Sequence, residues 1–89
     1  MSNRLRLRPG ALEWREVEGE IVALDLRRSV YLAVTKSGAL LWPALLKGAS
    51  RRELVTRLCE RFEIEKDVAS ADVDAFLGEL SEHDLLEEV

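Results

Sequence analysis

Up to Val34 the apolar residues of this 89-residue chain recur mainly at every second position, and beyond it they recur every third or fourth. Such a switch of period marks a passage from strands to helices. Its sharpest expression is the stretch VALDLRRSVYLAV, from Val22 to Val34. Val22, Leu24 and Leu26 alternate with other side chains, Asp25-Leu26-Arg27-Arg28-Ser29 supplies turn chemistry, and Val30, Leu32 and Val34 alternate again, which predicts a β-hairpin. Because everything after Val34 reads as helix, the hairpin's second strand has no later strand to pair with. It is expected to stay an open edge, which is either a liability or a docking site.

Before the hairpin, Arg4-Leu5-Arg6-Leu7-Arg8 alternates strictly and is closed by Pro9-Gly10, predicting a short first strand whose basic side chains face water. Leu12 and Trp14 alternate with Glu13 and Arg15, and Glu18-Gly19 turns the chain back into Ile21. The N-terminal half thus reads as an antiparallel meander of three to four strands. Three helices follow. Thr35 is a candidate N-cap for a helix carrying Leu41, Trp42, Leu45 and Leu46, with Gly48 as its stop; Pro43 lies inside it, where a proline removes a backbone bond and usually kinks or ends a helix. Ser50-Arg51-Arg52-Glu53 is a capping box ahead of an apolar stripe of Leu54, Leu58 and Phe62, joined by Val55 and Cys59. A third helix starting near Asp67 carries Val73, Phe76, Leu77 and Leu80 on one face and ends before Leu85-Leu86. The expected architecture is a single α+β, winged-helix-like domain spanning residues 1–89.

A chain of this length supports one modest core and little else, which favours a binding role over the two-lobed clefts of most enzymes. One Cys and one His exclude a disulfide framework and a self-contained zinc site and suit a reducing compartment. Met1-Ser2-Asn3-Arg4 leads into no long apolar run, so neither a signal peptide nor a membrane span is expected and the cytoplasm is the expected location. The net charge of −4 hides an asymmetry: eight Lys/Arg face five Asp/Glu up to Lys47, whereas five face twelve from Gly48 onward. The acidic second half should repel nucleic acid and attract a basic peptide.

No catalytic constellation emerges. Cys59 falls on the buried stripe of the second helix, and His83 sits in a polar helix exit where it favours the macrodipole. Asp72 and Asp74 are two positions apart and point to different sides of their helix, a poor arrangement for paired acid–base work or metal ligation. No glycine-rich phosphate loop is present, so no cofactor is expected. Three helices beside a small sheet also describe winged-helix DNA readers, but the third helix holds no Lys or Arg between Asp67 and Glu82. The basic residues Arg51, Arg52, Arg57 and Arg61 of the second helix read as a solvated face paired with Glu53 and Glu60. DNA binding is the alternative function, and nucleic acid is not the expected partner.

The stretch LDLRRSVYLAV, then GALLW, then a capped helix with ELVTRL, then DVDAFLGEL and a closing LL, resembles the PqqD-like proteins, also called RiPP recognition elements. Within that group the chain is most similar to the small leader-binding proteins of lasso-peptide clusters. The likeness spans Leu5 to Leu86 and rests on the order and spacing of short apolar patterns. Two positions depart from it: relatives often carry an Asn-Pro-Thr type of cap where this chain has Thr35-Lys36-Ser37, and Gly where it has Asp84.

The resemblance implies a non-catalytic module that binds the leader of a ribosomally made precursor peptide and presents it to processing enzymes. In lasso relatives the leader carries a Tyr-x-x-Pro motif, the leader peptidase is a cysteine protease, and the ring is closed by an ATP-dependent synthetase resembling asparagine synthetase. The leader adds as a strand to the last strand of the sheet and lies against the third helix. That assigns Val30, Tyr31, Leu32 and Ala33 to the strand side of the site, and Val68, Asp72, Ala75 and Phe76 to the helix side. Leu32, Val34 and Phe76 are equally what a core would use. A subunit that only holds two enzymes together, without touching the leader, is a third reading.

Overall fold

The computed structural model describes residues 4–89. The sequence reading of Met1 to Asn3 as free of a targeting segment lies outside the described residues. In chain order the elements are β1 (Arg4–Leu7), β2 (Leu12–Val17), β3 (Glu20–Asp25), β4 (Val30–Val34), α1 (Lys36–Lys47), β5 (Ala49–Ser50), α2 (Arg51–Phe62), α3 (Lys66–Glu82) and β6 (Leu86–Glu88). They form the expected α+β architecture, with two antiparallel sheets ordered β2-β3-β4 and β5-β1-β6. Among the described residues no helix is long and apolar enough to cross a membrane.

The meander forms where its turns dictate. Glu18 and Gly19 both take positive φ, at 52° and 81°, as the two-residue turn that matches strand twist requires. The next turn is built by Asp25, whose Oδ1 accepts the backbone N–H groups of Arg27 and Arg28 at 3.0 and 3.2 Å. Registers Ala23↔Leu32 and Leu24↔Tyr31 place Ile21, Ala23, Asp25 and Leu32 on the inner face. Val22 and Leu24, two of the alternating residues visible in sequence, lie half-buried on the outer face. Both faces carry apolar groups, so alternation alone could not say which one turns inward.

Three expectations are corrected. β1 does not join the meander: it pairs with β5 (Leu5↔Ala49) and with β6 (Leu7↔Leu86), two short strands in the half read as wholly helical. Segments of two and three residues are too short to carry a period of their own. The β1 arginines are accordingly not simply solvated. Arg4 bonds Glu53 Oε1 at 2.7 Å and the Gly48 carbonyl at 2.6 Å, Arg6 pairs with Glu87, and Arg8 reaches Asp84 Oδ1 at 3.1 Å and the Leu86 carbonyl at 3.0 Å. Much of the charge asymmetry is thus settled inside the molecule. The expected pairing of the α2 arginines with Glu53 and Glu60 also fails at its first member, because Arg51 forms a bidentate bond to Asp74 of α3 while Glu53 is taken by Arg4.

Helix α1 is capped by Thr35, whose hydroxyl accepts from Gly38 N at 3.1 Å, and is closed by Gly48. It runs through Pro43 to the stop expected at Gly48, because burial of Leu41, Trp42, Ala44 and Leu45 outweighs the lost backbone bond. In α2 the Ser50 hydroxyl accepts from Glu53 N at 3.1 Å, and Leu54, Val55 and Leu58 are buried. Phe62 is not: it is the last residue before the left-handed Glu63, so its ring stays at the surface under the Arg61 guanidinium. Cys59 is only partly buried against the core. Val73, Phe76, Leu77 and Leu80 of α3 complete that core as expected.

Asp25, 1% exposed, also accepts a 3.0 Å bond from His83 Nδ1 at the end of α3. Burial pushes this carboxyl up, but the His83 bond, the two backbone N–H groups and the Arg28 guanidinium together hold it below the usual 3.8. A depressed folded-state value contributes stability that is present above 3.8 and lost as pH falls through the lowered value. Asp25→Asn should therefore lower the Tm at neutral pH, and the gap from the parent should shrink as thermal unfolding is followed down to about pH 2. A gap that stays constant with pH would show that Asp25 acts by shape alone.

Candidate peptide-binding groove

Since among the described residues β4 pairs only with β3, its other edge is open, and alternate backbone N–H and C=O groups face outward there. Helix α3 runs beside that edge. At one end Arg28 Nη1 bonds the Glu82 carbonyl at 2.9 Å and Asp25 holds His83. At the other, Phe76 and Val34 meet against α1 at Gly38. Between these ends lies a cavity of about 220 Å³ walled by Ala23, Leu32, Trp42, Phe76 and Leu80. It is smaller than the roughly 300–1,000 Å³ typical of small-molecule sites. Thr35, Ser37, Asp72 and Glu79 add its polar lining.

An aromatic chain fixes the cavity floor. Trp42 packs edge-on to Trp14 at 5.9 Å between ring centroids and lies 6.4 Å from Phe76, tying sheet, α1 and α3 together. Asp72 and Glu79, two helical turns apart on one face of α3, form no ion pair among the described residues. Asp74 points elsewhere, and its bond to Arg51 lowers its carboxyl below the ordinary range.

The profile of PqqD, coenzyme PQQ synthesis protein D, matches residues 20–86. The chain belongs to the PqqD family. Its PqqD fold is similar to two solved structures. One is "TbiB1 in Complex with the TbiA(beta) Leader Peptide", with a TM-score of 0.81 at 24% identity over 92% of this chain and 94% of that one. The other is "Lasso peptide synthetase B1 complexed with the leader peptide", with a TM-score of 0.78 at 28% identity over 93% and 96%. No curated protein sequence matches the chain. The resemblance read from sequence, to PqqD-like RiPP recognition elements, is borne out.

Of the eight site residues expected from sequence, Leu32, Ala33, Asp72, Ala75 and Phe76 come together around the cavity. Val30 and Val68 do not line it: both are exposed, Val30 where β4 begins and Val68 one turn before Asp72 on α3. Tyr31 is 72% exposed and sits with Trp14, Val22 and Leu24 around a shallow hollow that also takes in the outer sheet face. Strand alternation forces this, since Leu32 turns inward. Trp42, Thr35, Ser37 and Glu79 were missed. Glu79 had a signal, its seven-residue offset from Asp72; Trp42 had none, because its helix was assigned to the core.

Trp42 is 1% exposed, and its Nε1 is buried without an acceptor among the described residues. Trp42→Phe should change the unfolding free energy by less than about 1.5 kcal/mol, whereas Trp42→Ala should cost about 3–5 kcal/mol. Urea denaturation separates the two, and a larger loss for Phe would mean that the indole N–H has a partner.

Proposed function

We propose that this chain is a non-catalytic recognition protein that binds the leader of a ribosomally synthesised precursor, a lasso-peptide precursor by the likeness above. The observation that carries this reading is the open β4 edge running beside a side-chain-sized cavity and an acidic helix face, in a fold whose solved relative at 28% identity is complexed with a leader peptide. The leader adds as a strand to β4, where backbone pairing supplies affinity and the cavity takes one of its alternate side chains. Val30, Leu32 and Ala33 form the strand side, and Asp72, Ala75 and Phe76 the helix side. Val68 extends the helix side by one turn. Tyr31 contributes its backbone, and its ring faces away from the cavity. The bound leader is presented to a cysteine-protease leader peptidase and an ATP-dependent, asparagine-synthetase-like cyclase.

DNA reading has less support. Lys66 is the one basic residue of α3, and the first of the α2 arginines is engaged with Asp74.

Two measurements test the proposal. Fluorescence anisotropy with the leader of any short precursor found encoded near this chain's gene should show saturable binding by the purified protein alone, and incubation with that full-length precursor and ATP should leave its mass unchanged. A leader N-methylated at alternate residues should lose most of its affinity, since strand addition needs those donors. Equal binding of the methylated leader would sink the strand-addition mode, and cleavage or dehydration would sink the non-catalytic reading.

The acidic lining supplies selectivity for basic leaders. Asp72→Asn should weaken a leader carrying Lys or Arg by about two- to fivefold, with the difference fading as salt is raised. Tighter binding by the variant, or affinity that climbs with salt, contradicts this electrostatic component.

A further inference from the structure

Gly38 lies in the first turn of α1 with ordinary helical backbone, so its conformation does not require glycine. Its surroundings do. A Cβ at this position would stand 2.7 Å from Phe76 Cε1, 2.8 Å from Val34 Cγ1 and 3.0 Å from Phe76 Cδ1. All three distances are well inside contact range. The two side chains belong to the two walls of the groove, Val34 to β4 and Phe76 to α3. They meet in the space that a methyl group would occupy.

From this we infer that Gly38 is a positioning residue that sets the size of side chain the groove admits, by letting the Phe76 ring settle back against α1. The inference rests on the leader-binding reading for its functional consequence, though not for its geometry. A methyl at position 38 must displace the ring. Behind it stand Trp42 and a close-packed interior that yields little. In front of it is the cavity, which the ring already lines. The ring therefore swings into the cavity and fills the space a leader side chain needs. The Val34 backbone is held in register with Ile21, and its Cγ1 makes room by turning about χ1. The carboxylates and the open backbone edge of β4 are untouched, so the loss falls on side-chain insertion rather than on strand pairing or charge.

The test uses Gly38→Ala, Phe76→Leu and the double variant. Alanine is a better helix former than glycine, so α1 should persist, as far-UV circular dichroism will report. Crystal structures of the ligand-free parent and Gly38→Ala give the first readout: the Phe76 ring should rotate into the cavity. The second is binding of fluorescein-labelled probes, the TbiA(beta) leader peptide and the leader of any short precursor found encoded near this chain's gene. Gly38→Ala should weaken whichever probe the parent binds by about tenfold or more, and the same substitution in the Phe76→Leu background should weaken it by less than about threefold, because the shorter side chain leaves room for the methyl. That non-additivity is what a merely structural role would not produce. A ring that stays in place, or equal losses in both backgrounds, overturns the inference. Should Gly38→Ala fail to fold while the double variant folds, the clash with the ring is upheld; failure of both overturns it. If the parent binds neither probe, the leader-binding reading falls, and the ring position still decides whether Gly38 sets the cavity.

Discussion

The groove depends on how far β4 stands from α3, and that gap is held at one end by the Asp25 carboxylate. It is a rare buried charge, and its bonding is unusually complete: two backbone N–H groups of its own turn, the imidazole of His83 and the nearby Arg28 guanidinium. A carboxylate so surrounded is stable in a core because each partner offsets the desolvation it suffers. The carboxylate that shapes the β3–β4 turn through Oδ1 therefore anchors the C-terminal end of α3 through Oδ2. At the far end of the gap there is no polar clamp, only close packing of Val34 and Phe76 at Gly38. The groove is a fixed slot between a hydrogen-bonded end and a packed end.

Among the described residues the β4 edge stays open because the two later strands, β5 and β6, pair with β1 instead. Had β1 extended the meander, the chain would still have needed something to close its C-terminus. Instead β1 threads between β5 and β6, and its arginines neutralise Glu53, Glu87 and Asp84. The basic start of the chain and its acidic end thus staple each other. Asp84 also accepts from Arg27 at 2.6 Å, so one carboxylate joins β1, the β3–β4 turn and the exit of α3. That residue adopts a left-handed φ of 57°, a region that aspartate tolerates better than most side chains. With these acids consumed, the carboxylates that form no ion pair among the described residues include Asp72 and Glu79 beside the groove.

Much was legible from local chemistry. The Glu18-Gly19 turn, the Asp25 turn, the caps at Thr35 and Ser50 and the stop at Gly48 each depend on residues within a few positions of one another, so their signals survive in a linear string. The apolar face of α3 was readable for the same reason. Less legible was anything set by a distant neighbour. Phe62 continued the α2 stripe in sequence yet faces water, because the chain turns away after it. Whether Pro43 would kink α1 was not legible either; the packing of Leu41, Trp42 and Leu45 carries the helix through it.

By itself the sequence determined the switch from two-residue to helical period at Val34, and with it the hairpin, the three helices and the family to which they belong. Only the tertiary structure decided which face of the meander turned inward, where β1 found its partners, and which of the candidate residues share a cavity. The reason is physical: turns, caps and amphipathic faces are written in contacts between near neighbours, whereas the groove is written in contacts such as Gly38 with Phe76 and Asp25 with His83, whose members lie far apart along the chain. A glycine in a helix gives no sign of why it is glycine until the ring that needs its space has been brought beside it.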